Sequence, residues 1–179
     1  RLVAGMDAMK VGDPTLDATQ IGPLATAAQL DELDAQVRAA LAAGARLLTG
    51  GERMVGEGYY YEPTVLAGLP RTAEVYRQEI FGPVAMLFCV RDLEQAIEVA
   101  NDTPFGLGAS VWTRNRAEQR SFAAGLNCGA VFFNAPVASD PRLPFGGVKC
   151  SGYGRELSAA GMREFLNAKT VVTVEPAAA

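Results

Sequence analysis

The chain has 179 residues, 49% hydrophobic and 20% charged, with a formal net charge of -4 at pH 7. That is enough apolar mass for a real core, and the acidic balance offers no basic footprint for nucleic acid or an anionic membrane. Histidine is absent, which removes Ser-His-Asp triads, Cys-His dyads and His-bearing metal sites from this chain and leaves acid–base work to Asp, Glu, Lys, Tyr or Cys.

The opening stretch RLVAGMDAMKVGDP places Leu2, Met6 and Met9 at helical spacing before Gly12 and Pro14. It reads as the tail of a helix that lacks a capping residue. Nothing in its first ten residues forms a signal-peptide core, and no apolar run approaches the ~18 residues of a membrane span. Residues 13–25 read as loop. Thr26 then opens a helix through a capping box with Gln29. Its apolar face is Leu30, Leu33, Val37, Ala40 and Leu41, and Gly44 stops it.

ARLLTGG and GYYYEPTVLAGL follow as strands, with Pro63 arguing that the second is an edge or bulged strand. VAMLFCV, 84–90, is a nearly continuous apolar run of the kind covered on both faces, and Cys89 within it is expected to be a small buried hydrophobe. Asp92 caps a helix whose core face is Leu93, Ala96, Ile97 and Ala100. LGASVWT is a strand, Asn115 and Glu118 begin another capped helix ending by Gly125, and GAVFFN is a strand. A long Pro- and Gly-rich loop precedes a helix over 158–166, and KTVVTV, 169–174, closes as a strand. The alternation of strands and helices predicts an α/β layer fold with a mainly parallel sheet flanked by helices.

Three cysteines, Cys89, Cys128 and Cys150, are odd in number, widely spaced and without a CxxC. A disulfide framework is not expected, and a reducing cytoplasm fits. Cys128 and Cys150 lie in or near Gly-rich turns but have no neighbouring base.

Two segments can carry chemistry. Glu79, in QEIFGPV, stands immediately ahead of the apolar run, where one carboxylate can accept hydrogen bonds from both hydroxyls of a ribose while Phe81 covers a flat ring. A turn with a solvated acid and a core Phe is the alternative. The second is SDPRLPFGGVKCSGYGRE, in which Gly146, Gly147, Gly152 and Gly154 permit close backbone approach or positive φ. It contains neither GxGxxG nor GxxxxGK[ST]. Phe145 is either a site aromatic or a core plug, and Ser139 and Arg142 could hold a carboxylate.

EIFGPV, the PFG at 104–106, and N-x-x-V-x-x-x-x-x-L-PFGG-V-K-x-SG-x-GRE over 134–156 resemble the C-terminal portion of NAD(P)-dependent aldehyde dehydrogenases. The stretch ASDPRLPFGGVK followed by SGYGREL is most similar to the succinate-semialdehyde branch. The resemblance implies oxidation of an aldehyde to the acid by a cysteine thiolate, with NAD or NADP accepting hydride and a dipole-lined oxyanion site.

By position, Glu79 then binds the nicotinamide-ribose hydroxyls and Phe81 flanks the nicotinamide. The resemblance likewise implies that Phe145 lines the substrate tunnel, that Ser139 contacts a substrate carboxylate and that Glu156 is a proton-relay partner. The family's nucleophile stands in a G-Q-x-C context that none of Cys89, Cys128 or Cys150 has. The expectation is therefore a catalytic-domain portion over 1–166 and an oligomerisation strand and tail over 167–179, inactive alone. A small-molecule aldehyde is the expected substrate and a homo-oligomer the expected assembly, with neither metal, nucleic acid nor membrane as partner. The competing expectation is a non-catalytic module that self-associates through KTVVTV and uncovered apolar faces.

Overall fold

A computed structural model describes residues 1–174. The chain divides into two compact units, one from Arg1 to Arg91 and one from Asp92 onward.

The first unit begins with a short helix α1, Leu2–Asp7, followed by loop to residue 26. Helix α2 runs Ala27–Ala42. Its Thr26 hydroxyl accepts the Gln29 N–H at 3.1 Å, as the cap pattern requires. The reciprocal arm differs by one residue: the Gln29 Oε1 takes the Ala25 N–H at 3.1 Å rather than that of Thr26. Strand β1, Arg46–Thr49, pairs antiparallel with β2, Thr64–Ala67, which pairs parallel with β3, Val84–Leu87.

β2 is therefore the central strand of this sheet, contrary to the edge position that Pro63 suggested. Pro63 sits just before the ladder and costs it no hydrogen bond, and the irregular register lies in β1 between Leu47 and Thr49. The four residues of β2 are all buried; Leu66 packs with Ala40 of α2 and with Val75 and Tyr76 of the turn Glu74–Arg77, and α1 lies against β1 and β2. β3 is shorter than the apolar run predicted. It ends at Leu87, is only half-buried, and leaves Cys89 exposed, so that cysteine is no core hydrophobe. The run stops pairing once β2 has run out opposite it.

Two apolar clusters hold this unit. Leu30, Leu33, Val37 and Tyr61 pack between α2 and the sheet, and Ala40, Leu66, Leu69, Val75 and Tyr76 pack beside them. The Tyr76 and Phe88 rings meet edge-to-face, 5.4 Å between centroids. Tyr61 is buried, and its hydroxyl donates to the Gly51 carbonyl at 2.9 Å and lies 3.2 Å from Asp34 Oδ1. Burial first, and then the Asp34 carboxylate, keeps that phenol protonated far above its ordinary range.

Asp34 is also buried, which by itself raises its pKa. The Arg38 Nε, 3.1 Å away, and the Arg53 Nε, 3.2 Å away, outweigh that and hold the carboxyl below its usual value. A group with a depressed folded pKa gives stability that is present above its unfolded value, about 4, and lost as pH falls through the folded one. Urea midpoints should thus fall below about pH 4, and fall less steeply in Asp34→Asn, whose side chain does not titrate. Parallel curves for the two proteins would count against this role.

In the second unit, helix α3, Leu93–Asn101, starts at Asp92, whose carboxylate accepts the Gln95 N–H at 2.8 Å. Leu93, Ala96 and Ile97 are half-buried as expected, whereas Ala100 is exposed. Strand β4, Gly108–Val111, helix α4, Arg116–Gly125, and strand β5, Ala130–Phe133, form a parallel β-α-β unit. Asn115 caps α4 by accepting the Ala117 N–H at 2.9 Å. Two of the three strand pairings among the described residues are parallel, so the expected α/β, mainly parallel class holds.

After a long loop comes α5, Ser158–Glu164. Residues 169–174 form no strand, and Val171, Val172 and Val174 are exposed. The β-branched alternation supplies strand propensity, but a strand exists only when another backbone pairs with it. The remainder of the 167–179 tail, from residue 175, lies outside the described residues.

Candidate functional site

Among the described residues, each unit has a hollow that contains candidate site residues named above. In the first unit, α2 and the segment 78–81 enclose an open hollow of about 700 Å³ lined by Gln29, Leu33, Gln36, Gln78, Glu79 and Phe81 among others. Glu79 is exposed and the Phe81 ring is 67% exposed, so neither is spent in the core. Of the turn alternative, the exposed Phe81 ring departs from the expected core position, while the solvent-exposed Glu79 matches the expected solvated acid.

The support beneath them is polar as well as apolar. The Gln36 side-chain amide donates to the Glu79 carbonyl at 3.1 Å and to the Gln78 Oε1 at 3.3 Å. The Gln29 amide reaches the Phe81 carbonyl at 3.5 Å. Gly82 lies directly on Leu33: a Cβ there would stand 2.4 Å from Leu33 Cδ2. Sequence reasoning found the two rim residues and missed the two glutamines. The available signal was position, since Gln29, Leu33 and Gln36 fall on one helical stripe.

In the second unit a hollow of about 460 Å³ is lined by Leu107, Phe145, Tyr153, Glu156, Glu164 and Phe165 among others. Phe145 and Glu156 are brought together by a two-way backbone pair, with N–H to carbonyl distances of 2.9 and 2.8 Å. Phe145 is half-buried and Glu156 exposed. Ser139 is exposed and does not line this hollow. Arg142 is not an open carboxylate reader: its Nε and a terminal N–H already grip Asp140 at 2.9 and 2.6 Å. That grip, through the side chain first and the Arg142 backbone N–H second, lowers the Asp140 pKa.

Gly147 of the long loop, and Gly106 before β4, press on the protein's own chain, whereas a Cβ on Gly152 would meet nothing within 4 Å. A Cβ on Gly147 would stand 2.5 Å from Ser151 Cβ, and one on Gly106 2.8 Å from the Asn127 carbonyl oxygen. Lys149 adopts a positive φ of 55° and donates to the Asn101 and Thr103 carbonyls at 2.9 and 3.1 Å, closing the end of α3. Cys128 is half-buried and Cys150 exposed. No group of His, Cys, Asp and Glu among the described residues is arranged to hold a metal.

The Aldehyde dehydrogenase family model matches residues 1–171. The chain belongs to the aldehyde dehydrogenase family. It is 54% identical over 171 residues to a probable NADP+ succinate-semialdehyde dehydrogenase of Synechocystis sp., covering 96% of this chain and 38% of that protein. It is 50% identical to a succinate-semialdehyde dehydrogenase [NADP(+)] 1 of Mycobacterium ulcerans, covering 96% of this chain and 37% of that one.

Among solved structures, the succinic semialdehyde dehydrogenase of Streptococcus pyogenes in complex with NADP+ superposes with a TM-score of 0.93. It is 40% identical, over 97% of this chain and 38% of that one. The lactaldehyde dehydrogenase of Escherichia coli superposes with a TM-score of 0.92 at 32% identity, over 96% and 36%. The chain thus has the aldehyde dehydrogenase fold over part of the enzyme, and spans less than two-fifths of the length of these relatives. No helix among its described residues is long and apolar enough to cross a membrane.

Proposed function

We propose that this chain is the C-terminal part of the catalytic domain of a nicotinamide-dependent aldehyde dehydrogenase that oxidises succinic semialdehyde to the acid. The carrying observation is the hollow over α2, where the Glu79 carboxylate and the exposed Phe81 ring share one rim. An exposed carboxylate beside a flat apolar ring fits a nicotinamide riboside, because one carboxylate accepts from both hydroxyls of a vicinal diol. When bound, NAD+ or NADP+ supplies the hydride acceptor. The names of the two bacterial relatives and the ligand of the streptococcal structure favour NADP+ and succinic semialdehyde.

In this reading Glu79 binds the ribose hydroxyls and Phe81 covers the ring. Phe145 walls the aldehyde's carbon chain, the Ser139 hydroxyl donates to its carboxylate, and Glu156 relays a proton. The nucleophilic thiol and most of the nucleotide surface come from polypeptide beyond these residues, in a soluble cytoplasmic oligomer that pairs through 167–179. The test is NADPH formation from succinic semialdehyde. The chain alone should show no turnover, and a hybrid in which residues 1–171 replace the matching segment of the Synechocystis enzyme should be active. In that hybrid Glu79→Gln should weaken NADP+ about tenfold or more, since hydrogen bonds to a charged group contribute about 1.5–3 kcal/mol. Turnover by the chain alone would sink the missing nucleophile, and unchanged NADP+ affinity would sink the role of Glu79.

A second reading, a non-catalytic self-associating module, is favoured by one observation: Phe165, Leu166, Val171, Val172 and Val174 are all largely exposed. Light scattering that shows a monomer at every concentration would dispose of it.

A further inference from the structure

We propose that Gln36 is the positioning residue that fixes Glu79 on the rim of the first unit's hollow, an inference that rests on the cofactor reading of Glu79. Gln36 lies in the middle of α2, and its side chain is an unusual occupant of that place: the residue is only 8% exposed. A buried amide must find partners, and the partners it finds belong to the one segment that carries the rim. Its Nε2 donates to the Glu79 main-chain carbonyl at 3.1 Å and to the Gln78 Oε1 at 3.3 Å.

Nothing else in 78–81 is locked into a ladder. The segment lies between the turn Glu74–Arg77 and strand β3, and its residues 78 and 79 are exposed. On either side of the Gln36 grip the Gln78 N–H donates to the Val75 carbonyl at 3.2 Å and Ile80 packs against both apolar clusters; two contacts lie farther on, the 3.5 Å approach of Gln29 to the Phe81 carbonyl and the seat of Gly82 on Leu33. Both act two or three residues beyond Glu79. The Gln36 bond acts at Glu79 itself, and so sets where the Cα stands and which way its carboxylate can reach. A helix is a suitable anchor because its own hydrogen bonds hold the Gln36 backbone still. Gln36 touches neither aldehyde nor cofactor in this reading; it acts through Glu79.

Two variants test this. Gln36→Met keeps the length and the helix propensity and removes the donor. Gln36→Glu keeps the shape and puts an acceptor where the donor was. In the intact chain both should speed hydrogen exchange of the 78–82 amides while exchange within α2 and β2 stays as in the parent. In the hybrid enzyme, both should raise the KM for NADP+ about threefold to tenfold, as loss of one hydrogen bond allows, with the loss in KM rather than in kcat. Added to Glu79→Gln, either change should produce little further loss, because the residue it positions is already disabled.

Unchanged exchange at 78–82 in both variants overturns the inference and leaves the cofactor reading standing. Equal losses of NADP+ affinity with and without the Glu79 carboxylate also overturn it, since Gln36 would then act by another route. If Glu79→Gln itself leaves NADP+ affinity intact, the underlying reading fails and the functional half of the inference fails with it, whatever the exchange shows.

Discussion

Gly129→Ala is expected to destabilise the chain by about 3 kcal/mol, at the upper end for overpacking, or to prevent the second unit from folding. A Cβ at that position would stand 1.7 Å from the Gly146 carbonyl oxygen and 3.0 Å from that of Leu107. Both neighbours are main chain, so no rotamer change relieves the clash. Neither can retreat cheaply. The Gly129 N–H donates to the Gly106 and Leu107 carbonyls at 3.0 and 3.2 Å, which fixes it at the mouth of β5. On the other side, residues 145–148 are held by the Phe145–Glu156 pair and by the Val148 N–H on the Gly106 carbonyl at 3.0 Å.

Relief would have to break one of these, and the Gly-rich motif would come off the sheet. Gly5→Ala is the control. A Cβ there meets nothing within 4 Å, and its helical setting should reward the change by up to about 1 kcal/mol. Thermal or urea melts of the two variants should move in opposite directions. A Gly129→Ala chain as stable as its parent would show that the stack of backbones at 106, 129 and 146 is looser than described.

The features legible in the sequence are those decided by neighbours in the chain. Thr26, Asp92 and Asn115 each cap the helix they were expected to cap, because a cap is a bond between residues two or three apart. The apolar stripe of α2 is likewise a local period, and the structure buries Leu30, Leu33, Val37 and Ala40 as read. Failures cluster where a distant partner decides. Whether the strand after Pro63 is central or edge depends on β3 arriving some twenty residues later, which no local pattern encodes. Cys89 looked buried because its neighbours are apolar, but burial requires a covering element, and pairing ends two residues before it.

At the candidate site, Glu79 and Phe81 were singled out by their motif, and both line the hollow over α2. Gln36 was not, since a glutamine on a helix is ordinarily solvated and only the incoming segment 78–81 makes it a buried donor. The partner of Arg142 lies nearer in the chain. Asp140, two residues away, satisfies it, and that pairing was open to inspection in the sequence.

Leu33→Ala should cost about 2–5 kcal/mol, as a buried leucine truncated in a packed cluster does. Leu33 is 1% exposed and belongs to the cluster with Leu30, Val37 and Tyr61. It also carries the rim, because Gly82 rests on it with no room for a methyl: Leu33 Cδ2, Cδ1 and Cγ would lie 2.4, 2.8 and 3.2 Å from a Cβ there. Gly82→Ala on its own should therefore destabilise by about 1–3 kcal/mol, since Leu33 is boxed in and cannot swing away freely.

The two changes are opposite in volume and share one contact, so they should not add. In the double variant the methyl on residue 82 enters space that the leucine has left, and the combined loss should fall below the sum of the single losses by about 1 kcal/mol or more. The measurement is a double-mutant cycle in urea on the intact chain. Strict additivity would mean that the leucine and the glycine are not in contact, and the segment carrying Glu79 and Phe81 would then lose the apolar seat that brings it against α2.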